Sequence, residues 1–253
     1  MNLLLLEPEE VSSNQAQIGG ERARHVREVL KTPIGGEIRA GVVEGALGRA
    51  RIVAMEGETI TLELTLDEPP PQRPLTDLIL AVPRPKTLAK VLPEIAAFGV
   101  DRLVLIRSWK VEKPYLESEL LTPAGHGPLL RAGAMQARTT RLPVVTIAPL
   151  FRPWIEDVAP AMFADHAVRW VLDAAAARST ASFGPIGERV VLAIGPEGGW
   201  LPFEIERFEA AGFTAVSMGS RPLRSETATV AALAQIDLLR AFARDVHERA
   251  LGG

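Results

Sequence analysis

The chain has 253 residues, 47% hydrophobic, 23% charged and 5% aromatic, with 28 Lys and Arg against 31 Asp and Glu and no cysteine. This excludes a disordered or fibrous protein, and the net charge of −3 excludes a polybasic tail while leaving room for a local basic face. Without cysteine there is no disulfide, thiol nucleophile or cysteine metal site. The early apolar run at 3–6 is followed by Glu7, Glu9 and Glu10. It is too short and too acidic for a signal peptide or membrane span, so a cytoplasmic protein is expected. Residues 21–31 suit a short helix, with Ala23, Val26, Val29 and Leu30 on one face and Pro33 and Gly35-Gly36 as the stop. Strand-like stretches follow at 37–43, 50–55 and 59–66, with Gly45, Gly48 and Gly57 as turns. The last alternates Ile60, Leu62, Leu64 and Leu66 with Thr61, Glu63 and Thr65, the period of a half-buried strand.

Pro69-Pro70-Pro71-Gln72-Arg73-Pro74 lacks most backbone donors and favours stiff, extended chain. It reads as a linker, 69–74, between a small β-rich domain at 1–68 and a larger domain at 75–253. A Pro-rich surface loop is the alternative. Beyond it, apolar runs at 78–82, 103–106, 144–147, 168–172, 190–194 and 215–218 alternate with helical stretches, the pattern of a parallel sheet covered on both faces. Residues 86–98 have helical period, and Pro93 predicts a kink or a late start. From Glu226 to about His247 neither Gly nor Pro intervenes. Val230, Leu233, Ile236, Leu239, Phe242 and Val246 form a stripe, with Leu238 off it. That is more apolar surface than one core contact needs. Two readings stand: a homodimer interface, or a helix wholly buried in its own domain.

Residues 1–68 carry seven Arg or Lys against twelve Asp or Glu. Residues 102–141 carry Arg102, Arg107, Lys110, Lys113, Arg131, Arg138 and Arg141 against Glu112, Glu117 and Glu119. The second segment is the better candidate to meet a polyanion, a solvated helical surface being the other reading. There is no phosphate-cradling GxxxxGK[ST] and no GxSxG elbow. Gly125-His126-Gly127 lacks the strand and third glycine of a dinucleotide site. His25, His126, His166 and His247 are dispersed, so no metal is expected.

Two loops stand out. Ile194-Gly195-Pro196-Glu197-Gly198-Gly199-Trp200 follows the strongest strand and precedes a helix opening near Pro202 or Phe203. Its glycines let backbone approach a ligand closely, beyond the carboxyl end of a strand where α/β sheets bind ligands; a plain turn is the alternative. The stretch 218–228 also leaves a strand and enters a helix, which Ser225 is expected to cap, with Arg221 and Arg224 as permanently charged donors. A capping and surface role is the alternative there.

In this order and spacing the loops resemble those of the RsmE-type family, the 16S ribosomal RNA uridine N3-methyltransferases of the SPOUT superfamily. The matching stretches are Ile194-Gly-Pro-Glu-Gly-Gly199 and Gly219-x-Arg-x-Leu-Arg-x-Glu-Thr-Ala228. Gln136 with Arg141-Leu-Pro143, Phe98-Gly99-Val100 and His25-Val-Arg-Glu-Val-Leu-Lys31 match more loosely. The resemblance implies an α/β fold: a SPOUT-type parallel sheet with a C-terminal trefoil knot, plus a small N-terminal PUA-like β-barrel. It implies a homodimer that takes S-adenosyl-L-methionine and acts on ribosomal RNA or the small ribosomal subunit. Cofactor contacts would come from Leu172, Ile194, Gly195, Pro196, Glu197, Gly198, Gly199, Met218, Gly219, Leu223, Arg224, Thr227 and Ala228. RNA contacts are expected of Arg22, Arg24, His25, Lys31, Arg107, Lys110, Gln136, Arg138 and Arg141. The chain departs from the family at Pro93-Glu94, Ala97 and Val43-Glu44-Gly45, which bears on the RNA target rather than on the reaction.

Methyl transfer from a sulfonium depends mostly on positioning. Uracil N3 must lose its proton to attack, and charge then develops on the ring oxygens. Arg224 is the leading candidate to meet that charge, with Arg221 beside it. Glu226 could accept the proton or simply complement the helix dipole. Three other readings stand: a SPOUT enzyme for a different RNA base, a non-catalytic RNA-binding assembly factor, and a metabolic α/β enzyme. The glycine loops weigh against the second, since a bare RNA clamp needs no glycine-lined pocket. The missing phosphate motifs weigh against the third.

Overall fold

A computed structural model of the chain describes residues 3–219 and 221–251, with side chains as far as Asp245. The fold is mixed α/β, and the chain divides into two compact units. One is the chain up to Arg73 with Leu130–Leu142; the other is Pro74–Leu129 with the chain from Pro143 onward.

The first unit is built on strands β1 (Leu4–Leu6), β2 (Val11–Ser12), β3 (Gln15–Ile18), β4 (Glu37–Val42), β5 (Leu47–Glu56) and β6 (Thr59–Glu68). They form one sheet in the order β1-β4-β5-β6-β3-β2, with β1 parallel to β4 and the other pairs antiparallel. The expected alternation of the last strand holds, with Ile60, Leu62 and Leu64 inside the core. Helix α1 (Gly20–His25) continues as a wider π turn over Val26–Leu30, placing Ala23 and Val26 in that core while Val29 and Leu30 stay exposed. Strands β1 to β3 were not expected. The reason for β1 is plain: Leu4 and Leu6 enter the main core, while Leu3 and Leu5 pack with Leu47 and Ala134. A strand buried on both faces shows no alternation. Gly48 sits at a bulge, where a Cβ would lie 1.9 Å from the Thr65 carbonyl oxygen, so only glycine fits.

The second unit holds β7 (Thr76–Ala81), α2 (Pro85–Ala97), β8 (Val100–Ile106), the start of α3 (Pro123–Ala137), β9 (Val144–Ala148), α4 (Phe151–Pro153) and α5 (Ala159–Met162). It continues with β10 (Val168–Leu172), β11 (Val190–Ile194), α6 (Pro202–Ala210), β12 (Thr214–Val216) and α7 (Ser225–Leu251). All six strands are parallel, in the order β12-β10-β11-β7-β8-β9. Every residue of β7 and β11 is inside, whereas the run at 144–147 forms the edge strand β9, exposed at Val144 and half-buried beyond it. Helix α2 does not start late. Pro85 occupies its first turn, where a missing N–H is harmless, and the helix runs on through Pro93. The last strand is shorter than expected, so Ser217 and Met218 belong to the loop beyond it.

At the amino ends of the sheet, buried Asp77 accepts from Arg189 Nη2 at 2.9 Å and lies 2.8 Å from His166 Nε2, while Asp101 takes a second bond from Arg189. These buried charges are paired, as burial demands. The opposite edge is thereby left to the loops.

Candidate functional site

Strands β12, β10 and β11 are neighbours and parallel, so the loops after Val216, Leu172 and Ile194 leave one edge together. Between them lies a cleft of about 330 Å³, within the usual size of small-molecule sites, roughly 300–1,000 Å³. The first loop contributes Leu172, Asp173 and Ala174, and the second contributes Ile194, Gly195, Pro196, Glu197, Gly198 and Gly199. From the third and the start of α7 come Val216, Ser217, Met218, Gly219, Arg221, Pro222, Leu223, Ser225 and Ala228.

The glycine loop is fastened on two sides. Glu197 Oε1 accepts the Arg84 N–H at 3.2 Å, and Lys110 Nζ donates to the Gly198 carbonyl at 2.5 Å. Gly199 closes a turn onto the Pro196 carbonyl at 2.8 Å with φ of 67°, the left-handed region that glycine enters without penalty. A Cβ there would meet no protein atom within 4 Å. The missing side chain therefore leaves open space rather than a packed contact.

Ser225 does not cap α7 as expected. It is the first residue of the helix, and the Arg224 carbonyl accepts the first helical bond, from the Ala228 N–H at 2.7 Å. The Ser225 hydroxyl is buried in the cleft wall with no hydrogen-bond partner. Leaving such a group unpaired costs about 1–3 kcal/mol. A ligand with a polar group and an apolar body fits this wall, since Leu172, Ile194 and Val216 supply the apolar side.

Of the expected cofactor contacts, Leu172, Ile194, Gly195, Pro196, Glu197, Gly198, Gly199, Met218, Gly219, Leu223 and Ala228 line the cleft; Arg224 and Thr227 do not. Arg221 is the one of the three catalytic candidates in the lining. Arg224 is exposed and Glu226 half-buried at the start of α7, and neither side chain has a hydrogen bond or ion pair among the described residues. Asp173, Ala174, Val216 and Ser217 were missed. They lie at or just past the ends of β10 and β12, where the rule of ligands beyond carboxyl ends would have found them.

The expected RNA contacts fall into two sets. In the first unit Arg22, Arg24, His25 and Gln136 line a cleft of about 470 Å³ together with Glu21 and Glu28. Arg22 is already engaged there: its guanidinium donates to the Leu5 carbonyl and to both oxygens of Glu10. That hydrogen bonding holds the Glu10 carboxyl below its ordinary value. Arg141 is engaged too, donating to the Pro71 carbonyl at 2.7 Å and to Glu44 Oε2 at 3.0 Å. Lys31 and Arg138 are exposed, each left-handed just past a helix. In the second unit, Arg107 is half-buried and Lys110 binds the glycine loop. The basic segment at 102–141 is thus divided between the units.

The RNA methyltransferase domain family matches residues 70–237. Ribosomal RNA small subunit methyltransferase E of Treponema pallidum (strain Nichols) is 32% identical over 241 residues, covering 93% of this chain and 90% of that protein. Ribosomal RNA small subunit methyltransferase E of Neisseria gonorrhoeae, solved bound to S-adenosyl methionine, has the same fold: TM-score 0.75 at 22% identity, over 94% of this chain and 98% of that one. A probable rRNA-methyltransferase of Porphyromonas gingivalis superposes with TM-score 0.75 at 25% identity, over 95% and 99% of the two chains. With a family match across most of the chain and a relative alike over nearly its whole length, this chain belongs to the RNA methyltransferase family that includes ribosomal RNA small subunit methyltransferase E.

Proposed function

We propose that the chain is an S-adenosyl-L-methionine-dependent methyltransferase that modifies N3 of a uridine in small-subunit ribosomal RNA, in the cytoplasm and as a homodimer. The observation that carries the reading is the cleft itself: three loops from adjacent parallel strands, an open glycine at 199 and an unpaired buried hydroxyl at 225. In this reading the loops from β11 and β12 form the trefoil knot of SPOUT enzymes, and the first unit is their PUA-like barrel. Leu172, Ile194, the backbone of 195–199, and Met218, Gly219, Leu223 and Ala228 hold the cofactor, which supplies an electrophilic methyl on a sulfonium. Arg224 and Thr227 stand just outside the lining, at the entrance of α7.

The protein's own part is positioning and charge. Arg221, in the lining, and Arg224, exposed beside it, can meet the negative charge that develops on uracil oxygens as N3 loses its proton. Glu226, half-buried at the start of α7, is the carboxylate of this loop that would take that proton. RNA is held by Arg24, His25, Lys31, Gln136 and Arg138 on the first unit and by Arg107 and Lys110 on the second. Arg22 and Arg141 support the surface from within their ion pairs.

The dimer reading rests on α7. Leu233 and Ile236 are buried, but Leu238 and Phe242 are 53% and 49% exposed. With Phe183, Pro185 and Leu239 they line an apolar cleft of about 430 Å³, and Met218 lines both this cleft and the loop cleft. A second copy covering that face would press on the cofactor loop. Val246, at the end of the expected stripe, lies outside the described side chains. The deciding experiment incubates unmethylated small subunits and naked ribosomal RNA with labelled cofactor, followed by nucleoside analysis. Label in 3-methyluridine is the expected result; label in another base, or none, overturns the assignment.

A further inference from the structure

A second cleft of about 460 Å³ opens in the same unit, walled by Arg107, Trp109, Leu150, Arg152, Phe203 and Arg207. Trp109 is 77% exposed, and Leu150 and Phe203 beside it are also exposed. The indole meets Phe203 edge to face, with centroids 6.0 Å apart at 89°. Among the described residues no other ring packs against it.

The backbone that carries this indole is held in place. Buried Glu204 accepts the Trp109 backbone N–H at 2.9 Å with one oxygen and the Leu201 backbone N–H at 2.8 Å with the other. One buried carboxylate therefore ties the loop after β8 to the start of α6, the helix that follows the glycine loop. The next residue, Lys110, reaches the Gly198 carbonyl. Trp109 is thus positioned on the flank of the candidate cofactor loop.

The rim is cationic. Arg152 and Arg207 share Glu156, at 3.0 and 3.5 Å, and the Arg107 guanidinium has no partner among the described residues. Three guanidiniums face Glu156 and a buried Glu204 that is engaged with backbone. An apolar aromatic floor inside a net-positive rim suits an unpaired base with its phosphates. A protein partner would meet the floor equally well but has no need of the rim.

We infer that this cleft takes an unpaired nucleobase of the RNA substrate, stacked on Trp109, with its flanking phosphates on Arg107, Arg152 and Arg207. The inference rests on the RNA methyltransferase reading above. Trp109 is then a positioning residue that sets where the strand lies beside the glycine loop.

The indole provides its own readout. Trp154 and Trp170 are buried and Trp200 is half-buried, so Trp109 is the solvent-exposed emitter. Single-stranded oligouridylate added to the full chain should quench the exposed-tryptophan emission. Trp109→Ala should weaken oligouridylate binding at least about fivefold, the lower end of what one stacked base contributes. Trp109→Phe should retain most of the affinity. In both variants cofactor affinity by calorimetry should match wild type, and the KM for small subunits should rise in the alanine variant more than kcat falls. Unchanged RNA affinity in Trp109→Ala overturns the inference. So does a loss of self-association in that variant, which would mean that a second copy covers the cleft. A wild-type chain that neither binds oligouridylate nor methylates ribosomal RNA fails the broader reading and takes this one with it.

Discussion

Gly199 offers the most direct test of the cleft. Its φ of 67° and the absence of any atom within 4 Å of a built Cβ separate two effects of substitution that usually arrive together. Gly199→Ala places one methyl group in the open space and costs about 1–2 kcal/mol for left-handed backbone. Gly199→Val suffers the same backbone penalty or somewhat more, about 1–3 kcal/mol for a β-branched residue in that region. Neither side chain strikes the protein at its Cβ, so both variants should fold, with Tm lower by about 2–8 °C for alanine and about 2–12 °C for valine in a chain of this size. The difference between them lies in how much of the 330 Å³ cleft they fill. Valine should therefore lose at least about tenfold more cofactor affinity than alanine, some 1.4 kcal/mol. Titration calorimetry with S-adenosyl-L-methionine and thermal unfolding of all three proteins make the measurement. If valine lowers Tm but binds as tightly as wild type, the space above Gly199 is not where the cofactor lies, and the loop assignment falls.

Three further outcomes are expected. Because Arg224 lies outside the cleft lining, Arg224→Ala should lower kcat by about 10²–10³ with cofactor affinity nearly unchanged, and Arg224→Lys should not restore it because a point charge lacks the planar fork; weak cofactor binding with normal turnover would move Arg224 into the cofactor's own contacts. Phe242→Asp adds a charge at a half-exposed position, so the monomer fold should survive while self-association in sedimentation and methylation fall together; an active monomer would show that the apolar cleft has no role in assembly. Arg22→Ala should destabilise the first unit by about 1 kcal/mol at neutral pH. Because Arg22 lowers the folded pKa of Glu10 below 4.5, that contribution is present above this value and fades as pH falls through the lowered one; denaturant unfolding that gives the same wild-type-to-variant difference at pH 7 and at the acid end would refute the pairing.

Much of this architecture is written locally. The alternation over Ile60, Leu62 and Leu64 marks a strand with one buried face, and the apolar runs at 78–82 and 190–194 mark strands buried on both, because side-chain direction repeats every two residues whatever the rest of the chain does. The glycine loop and the 218–228 loop were legible for a similar reason: a backbone that must come close to a ligand needs small or left-handed residues in sequence. Other features depended on partners far along the chain. Leu3 and Leu5 reveal a strand only once Leu47 and Ala134 cover their side of it. Residues 130–142 join the first unit through contacts such as Thr140 Oγ1 with the Gly45 carbonyl at 2.7 Å, across 95 positions. The family resemblance made Arg22 and Arg141 candidates for RNA; Glu10 and Glu44, brought beside them by the fold, give both guanidiniums structural work. The hydroxyl of Ser225 is unpaired, and the backbone N–H of Trp109 is held by a buried carboxylate beside the glycine loop, for the same cause. Periodicity fixes the direction of a side chain from its immediate neighbours, whereas its hydrogen-bond partner and its burial are set by which distant segment packs against it.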